Sequence, residues 1–348
     1  MVRPTTSAPA PTADHADGGV LAASTPLVDS WYIVARSVDL VGVRPHAITL
    51  LGRRLVVWRS TNGGVVAAPD RCPHREAPLS AGTLDNGCLE CCYHGWVFAD
   101  DGRCVRIPST LESVPAPPRA HLDTVHTDER YGLVWVCLGT PRAPIPSIVQ
   151  EDDPTFRRIN TPVELWQTSA TRMVDNFLDI SHFPWVHAGT FGRAQDTLVP
   201  KLELGELDAD FYGYSYEVTA KNTSLGALST GEHGDSIGRH MTTGYNMPFT
   251  VRSTIRYDSG LEHIILMFST PVDDVTSLFN FVIWRNDDFA VSAEEVIRFD
   301  LAIGAEDKRM LERVPGLLPL DQTTLVSVQA DKCSVEWRRR LVALMAGA

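Results

Sequence analysis

The spacing of apolar and turn residues predicts short paired strands over about the first 140 residues. LVVW (55–58) and VVAAP (65–69) lie on either side of Asn-Gly-Gly, which supplies the positive φ that a tight hairpin turn requires. WVFADDGRCVRI (96–107) repeats this pattern around Asp-Asp-Gly, and YGLVWVCLG (131–139) predicts a further apolar strand. No helical period occurs between residues 31 and 139, so this part is expected to be a small all-β domain.

Beyond the proline-rich stretch at 141–147, which is expected to be a linker, the pattern changes. VELWQTSATRMVDNFLDISHF (163–183) predicts a strand that leads into a helix. Alternating segments between about residues 200 and 285 predict antiparallel strands, such as HIILMFS (263–269) and FNFVIW (279–284). This part is therefore expected to contain a curved antiparallel sheet.

Two helices expected near the C-terminus complete the predicted architecture. A capping box at Ser292-Ala-Glu-Glu predicts a helix that ends near Arg313, and a last helix is expected over 334–345. Helices packed against an antiparallel sheet predict an α+β domain. We expect a disordered Pro- and Ala-rich leader over residues 1–25, the all-β domain over 26–140 and the α+β domain over 141–348.

Four of the seven cysteines lie in CPHREAPLSAGTLDNGCLECCYHGW (72–96), together with two histidines. Cys72-x-His74 and Cys91-x-x-His94 each place one thiol and one imidazole in a short loop between strands. Zinc fingers usually have two cysteines in one arm and two histidines in the other. Mixed arms suit a [2Fe–2S] cluster better, with both cysteines on one iron and both histidines on the other.

The remaining cysteines are expected to be structural. Cys88 and Cys104 are predicted to be small buried residues in strands, and Cys92 is also expected to pack. Seven is an odd number and no signal-peptide pattern precedes the cysteines, so a disulfide framework is not expected. A cytoplasmic location, where thiols stay reduced, is expected.

Charge limits the possible partners. The net charge is −12 and no apolar run approaches the length of a membrane span, which argues against nucleic acid or an anionic membrane as the main partner. Residues 29–140 contain 11 Arg, no Lys and 12 Asp and Glu, so most of the negative charge lies elsewhere. Two roles stay open for the four arginines beside the cluster loops, docking of an acidic electron donor or solvated surface residues. They are Arg71, Arg75, Arg103 and Arg106.

A second polar group follows in Asn176-Phe-Leu-Asp179-Ile-Ser-His182-Phe-Pro184-Trp-Val-His187. Two histidines separated by four residues, with Pro184 breaking the helix between them, can converge on one metal ion. Taken alone, the same pattern is also typical of hydrogen-bonded core histidines. Asp179 lies one helical turn before His182, so both can face the same way.

The two motifs together closely resemble those of the Rieske non-haem iron oxygenases, especially the single-subunit N- and O-demethylases and hydroxylases. CPHR…GxL…CxYHGWxF resembles the Rieske signature, and N-x-x-D-x-x-H-x-x-x-x-H resembles the iron-binding segment; the similarity extends from about residue 30 to the end. It implies a helix-grip catalytic domain of the START or Bet v 1 type. The implied cluster ligands are Cys72, His74, Cys91 and His94. Cys92 departs from the family pattern, which usually has proline there.

The same resemblance implies that His182 and His187 bind Fe(II) with one carboxylate, in a facial triad that leaves three positions open. In the helix after Ser292, Asp307 falls on an apolar stripe, where a carboxylate needs a cation or a donor. Asp300 lies only slightly off that stripe, so periodicity alone does not separate the two. The tail AEDKRMLE…VSVQADKCSVEWRRRL resembles that of the demethylase-type members and favours Asp307.

Further roles also come from the resemblance. It implies that Asp179 links His182 to a Rieske histidine of a neighbouring subunit, and hence a head-to-tail homotrimer; simple support of His182 is the alternative role. Asn176 is expected to support the same site. The residues expected around a small apolar or aromatic substrate, each also compatible with plain core packing, are Phe177, Met247, Phe268 and Trp284.

The implied activity is that of a terminal oxygenase, which uses O₂ and electrons relayed through the cluster to hydroxylate or oxidatively demethylate a small substrate. No G-x-G-x-x-G fingerprint follows a strand, so a separate ferredoxin or NAD(P)H-dependent reductase is expected to supply the electrons. Two alternatives are an arene cis-dihydroxylase, whose members are usually longer, and a pure Rieske electron carrier. The motif at 176–187 argues against the carrier.

Overall fold

A computed structural model describes residues 19–42, 44–287 and 289–347. Up to residue 140 the elements are α1 (Thr25–Val28), β1 (Tyr32–Arg36), β2 (His46–Leu50), β3 (Arg53–Arg59), β4 (Val65–Pro69), β5 (Thr83–Asp85), β6 (Cys88–Glu90), β7 (Val97–Phe98), β8 (Cys104–Arg106), β9 (His126–Arg130) and β10 (Leu133–Cys137). The later elements are β11 (Arg157–Asn160), β12 (Glu164–Trp166), α2 (Ala170–Phe177), α3 (Phe183–Val186), β13 (Gly205–Glu206), β14 (Tyr212–Lys221), α4 (Ser224–Thr230), β15 (Ser236–Asn246), β16 (Thr250–Arg256), β17 (Glu262–Pro271), β18 (Ser277–Arg285), α5 (Ala293–Leu311) and α6 (Lys332–Met345).

The N-terminal part consists of small antiparallel sheets, as the hairpin signals predicted. Their strand orders are β1-β10-β9, β2-β3-β4 and β5-β6-β7-β8. LVVW lies within β3 and VVAAP forms β4, and the two strands pair with Trp58 opposite Val66. The prediction of an all-β domain is therefore confirmed.

The described part of the predicted leader is packed against the body of the chain. Leu21 is fully buried, and the backbone N–H groups of Val20 and Leu21 donate to the Asp274 carboxylate at 2.7 Å and 3.0 Å. Residues 19–25 are thus ordered rather than a disordered leader, because a buried leucine and a charge-assisted backbone contact hold them. Residues 1–18 of that prediction lie outside the described residues.

The C-terminal part is built on one antiparallel sheet with helices against it. The strand order is β11-β18-β17-β16-β15-β14-β13, and β12 also pairs with β18. Val296 and Leu311 of α5 share a hydrophobic cluster with Phe279 and Ile283 of β18. The predicted α+β class is confirmed, and the cavity described below lies between this helix and the sheet.

The predicted helical stretch through residue 183 is divided in two. α2 ends at Phe177 and the one-turn helix α3 begins at Phe183, with Pro184 in its first turn. Pro184 was predicted to break a helix, and this is wrong, because the first-turn N–H that a proline lacks has no intrahelical partner in any case. None of the helices in the described ranges is long and apolar enough to cross a membrane.

Candidate metal centres

The two Cys/His loops are held by their own backbones. The Cys72 N–H donates to the Ala77 carbonyl at 2.9 Å, and the Cys91 N–H donates to the Trp96 carbonyl at 2.8 Å. Gly82 lies where the chain returns toward the second loop, and a Cβ there would come within 2.1 Å of the Glu90 carbonyl oxygen. Only glycine permits this close approach, which explains its place in the GxL part of the motif.

The loops bring the two predicted histidine ligands together, and they also bring the two predicted cysteine ligands together. The rings of His74 and His94 are 4.5 Å apart at an angle of 65°, and the Trp96 ring stacks on His74 at 4.5 Å. Cys72 and Cys91 are buried, with 1% and 2% exposure, whereas His74 is half-buried and His94 is exposed. The thiols therefore face inward and the imidazoles outward, toward solvent or a partner.

This donor set fits a [2Fe–2S] cluster held by two thiolates and two imidazoles. The buried His74 Nδ1 has no hydrogen-bond partner among the described residues, which a bound iron would explain. Burial raises the pKa of the Cys72 thiol to about 11, so its thiolate form needs the positive charge of a bound metal.

The second predicted site forms at α3 and α5. His182 immediately precedes the one-turn helix α3 and His187 immediately follows it, so this helix fixes the spacing of the two imidazoles. Their Nε2 atoms are 3.1 Å apart, and Asp307 Oδ1 lies 3.6 Å from His182 Nε2 and 3.3 Å from His187 Nε2. Ligand atoms at right angles around one metal, each about 2.1 Å from it, lie about 3 Å apart. The three atoms therefore fit adjacent ligand positions of a single metal ion.

Asp300, the other carboxylate that the periodicity allowed, is not near these histidines. Its Oδ1 lies 3.5 Å from His263 Nε2, at a different part of the cavity. Asp307 and Asp300 are seven residues apart on α5, close to two turns, and so share one side of the helix without sharing neighbours.

Asn176 and Asp179 each form a hydrogen bond with one residue of this triad. Asn176 Nδ2 donates to Asp307 Oδ1 at 3.0 Å, and His182 Nδ1 lies 2.9 Å from Asp179 Oδ2. Burial alone would raise the pKa of Asp179, but its hydrogen bond with His182 and the imidazole charge hold that pKa below its ordinary value. Asp179 is thus an ionised acceptor that orients the His182 ring.

Glu306 is a site residue that the sequence analysis missed. Its Oε2 lies 3.0 Å from His187 Nδ1 and accepts a hydrogen bond from Thr190 Oγ1 at 2.7 Å. Glu306 is only 8% exposed, and a buried carboxylate directly before a predicted ligand on the same helix was the signal available. It orients His187 as Asp179 orients His182.

A cavity extends from the triad between α5 and the sheet. Its walls near the triad are apolar, and they include Phe177, Phe183, Ile265, Met267 and Ile303. Its other end is polar, with three buried side chains that contact none of the triad ligands. These are Arg239, His263 and Asp300.

Of the residues predicted to line a substrate pocket, only Phe177 does so. Phe268 and Trp284 lie on the opposite face of the sheet, where their rings meet Trp135 and Tyr131 edge-on at 5.2 Å and 5.0 Å. Strand alternation explains the error, because the neighbours of Phe268 and Trp284 face the cavity side of the sheet instead.

Met247 is the third incorrect pocket prediction. It follows the end of β15, packs at the edge of the core and does not line the cavity. An apolar residue at a strand end has no alternation to indicate which way it faces, so the sequence pattern could not place it.

Comparison with known proteins agrees with both halves of this architecture. The Rieske [2Fe-2S] domain family matches residues 30–118, and the vanillate O-demethylase oxygenase C-terminal domain family matches residues 166–347, over half of the chain. The chain is 32% identical over 304 residues to the methylxanthine N1-demethylase NdmA of Pseudomonas putida. The alignment covers 85% of this chain and 82% of that protein. The chain belongs to the Rieske non-haem iron oxygenases.

Other relatives agree with this membership. Aminopyrrolnitrin oxygenase PrnD of Pseudomonas fluorescens is 31% identical over 283 residues, covering 76% of this chain and 77% of that protein. The structure of Pseudomonas putida CBB5 NdmA with caffeine has a TM-score of 0.80 at 29% identity and covers 92% of each chain. Dicamba monooxygenase bound to dicamba has the same fold, with a TM-score of 0.77 at 23% identity over 93% of this chain and 98% of that chain.

As a Rieske oxygenase, the chain is an oxidoreductase that hydroxylates or demethylates a small substrate with O₂. Its cofactors are a Rieske [2Fe–2S] cluster and a mononuclear non-haem iron, and a reductase or ferredoxin supplies its electrons. The two groups of side chains described above have the donor chemistry that these two cofactors require.

The free cysteines of this Rieske oxygenase differ in exposure. Both Cys88 and Cys104 were predicted to be buried in strands. Cys104 is buried in β8, whereas Cys88 lies in β6 but is only half-buried. Cys92 is exposed, with its Sγ 3.8 Å from the Pro78 carbonyl oxygen. The expectation that Cys92 packs is wrong, because the turn after Cys91 points it outward.

Most of the arginines near the cluster already have carboxylate partners. The ion pairs join Arg71 to Glu76, Arg103 to Asp101 and Arg106 to Glu90. These pairs lie on the surface, where each contributes little to stability, and they cancel much of the positive field that docking would need. Solvated surface residues are therefore the better interpretation of these three arginines.

Proposed function

We propose that this chain oxidises a small organic substrate at an Fe(II) held by His182, His187 and Asp307. The observation that carries the proposal is the convergence of these three ligand atoms, 3.1 to 3.6 Å apart, beside a cavity. For the electron-accepting cluster we propose four ligands, supported by their grouping in two adjacent loops. They are Cys72, His74, Cys91 and His94.

We infer that the reaction is oxidative removal of an N- or O-methyl group, supported by the names of the matching family and relatives. One O₂, two electrons and two protons convert R–X–CH₃ to R–XH, formaldehyde and water. Bound iron supplies the activation of O₂. The chain orients the substrate through the apolar walls at Phe177 and Met267.

We also propose a head-to-tail homotrimer, in which Asp179 passes electrons from a neighbouring subunit's cluster to His182. Two observations support this assembly. Asp179 contacts His182 Nδ1, the imidazole edge that faces away from the metal position. Trp185 on the same turn is 69% exposed, and Tyr93 beside the cluster loop is 63% exposed, which suits an interface more than a free surface.

The finer organisation is proposed with this function. We propose a domain boundary near residue 140, and the gap between the two family matches, from 118 to 166, supports it. A ferredoxin reduced by an NAD(P)H-dependent enzyme is the proposed donor. A cytoplasmic location is proposed because NAD(P)H is available there.

The deciding experiment is a substrate screen with a surrogate ferredoxin and reductase that records O₂ uptake and formaldehyde. Formaldehyde equal to the O₂ consumed supports demethylation, a hydroxylated product without formaldehyde shifts the assignment to hydroxylation, and a cis-diol shifts it to dihydroxylation. Two irons per chain in the loaded protein, rather than three, would contradict the proposal in favour of an electron carrier.

Asp307→Ala tests the iron ligands directly. We expect the variant to lose the mononuclear iron and all turnover while its Rieske absorption spectrum stays unchanged, because the two sites share no ligand. Asp300→Asn is the matched control on the same helix, and it should retain iron. Full iron occupancy in Asp307→Ala would rule out the assigned triad.

A further inference from the structure

The polar end of the cavity contains a guanidinium that the metal centre does not use. Arg239 on β15 is only 5% exposed. Its Nε is buried without a hydrogen-bond partner, and no ion pair to Arg239 occurs among the residues that the structure describes. Its contacts are instead aromatic faces, since its Cζ lies 5.3 Å from the Phe191 ring, 5.7 Å from Tyr257 and 5.9 Å from Phe299.

A buried cation without a carboxylate is costly. Removing an ion from water is costly even after the protein relaxes, and contacts with aromatic rings return only part of that cost. A guanidinium stays charged in proteins. The charge therefore needs an anion that the described part of the chain does not supply.

The neighbouring groups leave that charge uncancelled. Asp287 is shared between Arg285 at 2.8 Å and Arg157 at 2.6 Å, so this cluster is itself positive. Burial, then the charges of Arg285 and Arg239, hold the pKa of His263 well below its ordinary value, so His263 is neutral.

Asp300 cancels the charge only in part. Burial raises the pKa of Asp300 to about 7, against the opposing effect of Arg285 and Arg239. Burial therefore disfavours the charged form of Asp300 that would neutralise Arg239. Its Oδ2 and His263 Nε2 are both buried without a hydrogen-bond partner among the described residues, so each can still bond to a ligand.

The guanidinium is close enough to the metal position for one small molecule to reach both. The Phe191 ring stacks on His187 at 4.8 Å, and Arg239 lies over the same ring at 5.3 Å. These two distances set an upper limit on the separation between the His187 ring and the Arg239 guanidinium, and a substituted benzoate is long enough to span it. A substrate with its anionic end at Arg239 would place its opposite end at the triad, between apolar walls.

We propose that Arg239 binds the carboxylate of an aromatic carboxylic acid, which makes such acids the substrate class of this cavity. This inference rests on the proposed oxygenase function for the fate of the ligand, but not for its binding. One negative charge matches the buried Arg239 guanidinium, which has no ion pair among the described residues, and a carboxylate accepts two parallel hydrogen bonds from arginine. His263 and Asp300 would bond the remaining oxygen positions.

The test compares an anion with a neutral molecule of the same shape. Calorimetry on the metal-loaded protein, without O₂, would measure the affinity for 2-, 3- and 4-methoxybenzoate and for the matching methoxybenzamides. We expect at least one benzoate to bind about tenfold or more tighter than its amide, which corresponds to about 1.4 kcal/mol. Arg239→Gln should remove this preference while the amide affinity stays within about twofold.

Two further variants separate charge recognition from loss of structure. Arg239→Lys keeps the charge and should retain part of the preference for the anion. Arg252→Gln is the matched control, because Arg252 also lies over an aromatic ring, Phe211 at 4.1 Å, but pairs with Asp208 outside the cavity. It should bind both ligands as the wild type does.

Three results would overturn the proposal that Arg239 binds a carboxylate. Equal affinity of the wild type for benzoates and benzamides, failure of every benzoate to bind at millimolar concentration, or unchanged anion preference in Arg239→Gln would each overturn the proposal. Binding is measured without turnover, so an anion preference that depends on Arg239 would stand even if formaldehyde were never formed. Conversely, an oxygenase without that preference would retain the proposed function and lose only this inference.

Discussion

Glu306 determines which nitrogen of His187 is free for a metal. A carboxylate at Nδ1 holds the proton on that nitrogen, so Nε2 keeps its lone pair and faces Asp307. Asp179 does the same for His182. Each imidazole is therefore oriented by its own carboxylate, and the two carboxylates come from different parts of the chain.

Glu306→Ala should weaken iron binding without abolishing it. The change leaves His187 Nδ1 and Thr190 Oγ1 without their buried acceptor, and loss of such a partner typically lowers metal affinity about 10- to 100-fold. Titration with a chelator, followed by iron analysis, measures the affinity. Glu294→Ala, an exposed position in the first turn of the same helix, is the control. Equal affinity in both variants would show that Glu306 does not support the site.

At the scale of elements, β17 serves two purposes on its two faces. His263, Ile265 and Met267 point to the cavity, whereas Ile264, Leu266 and Phe268 pack toward the N-terminal domain. Alternate side chains of this one strand therefore line the cavity and pack against the N-terminal domain.

Phe268→Ala and Met267→Ala should therefore have opposite effects. Phe268→Ala removes a fully packed ring at the domain contact and should lower the free energy of unfolding by about 3 to 5 kcal/mol, with ligand affinity nearly unchanged. Met267→Ala enlarges the cavity and should change the ligand affinity more than it changes stability. Urea unfolding and calorimetric titration of both variants measure the two effects. Equal losses of stability would contradict this division of the strand.

Local sequence patterns predicted most helices and strands, but they did not predict which side chains of a strand face the cavity. Ser292 caps α5 as its sequence indicates, accepting from the Glu295 N–H, because a capping box is a short-range signal. The direction of Phe268 and Trp284 depends on which domain covers each face of the sheet, a long-range fact that a buried strand of apolar residues does not encode. Glu306 was missed for the same reason, since its partner lies 119 residues away.

In the proposed function, the whole molecule divides electron acceptance and oxidation between two candidate sites that share no side chain. The Cys/His loops expose His94, and the proposed iron site includes His182, which is half-buried beside Asp179 at the start of α3. Function in the proposed trimer therefore depends on how two different surfaces meet.

Asp179→Asn should separate metal content from turnover. The amide keeps a hydrogen-bonding side chain beside His182 but removes the negative charge, so both metal centres should stay loaded while product formation falls by at least about 100-fold. Iron analysis, the Rieske spectrum and product assays test this together. Asp196→Asn, an exposed aspartate paired with Arg193, is the control. Product formation at the normal rate would refute the electron-bridge role.

Cys92 offers a practical consequence of the outward turn that follows Cys91. It is the one exposed cysteine among the seven, all of which lie in the described ranges. Burial, then the neighbouring Cys91, raise its pKa, so alkylation should be slow at neutral pH and faster in mildly alkaline buffer. A fluorophore or spin label attached there would sit beside the cluster loop and report by quenching or broadening when a redox partner approaches. The residue that departs from the family pattern thus gives the protein a natural position for a spectroscopic probe.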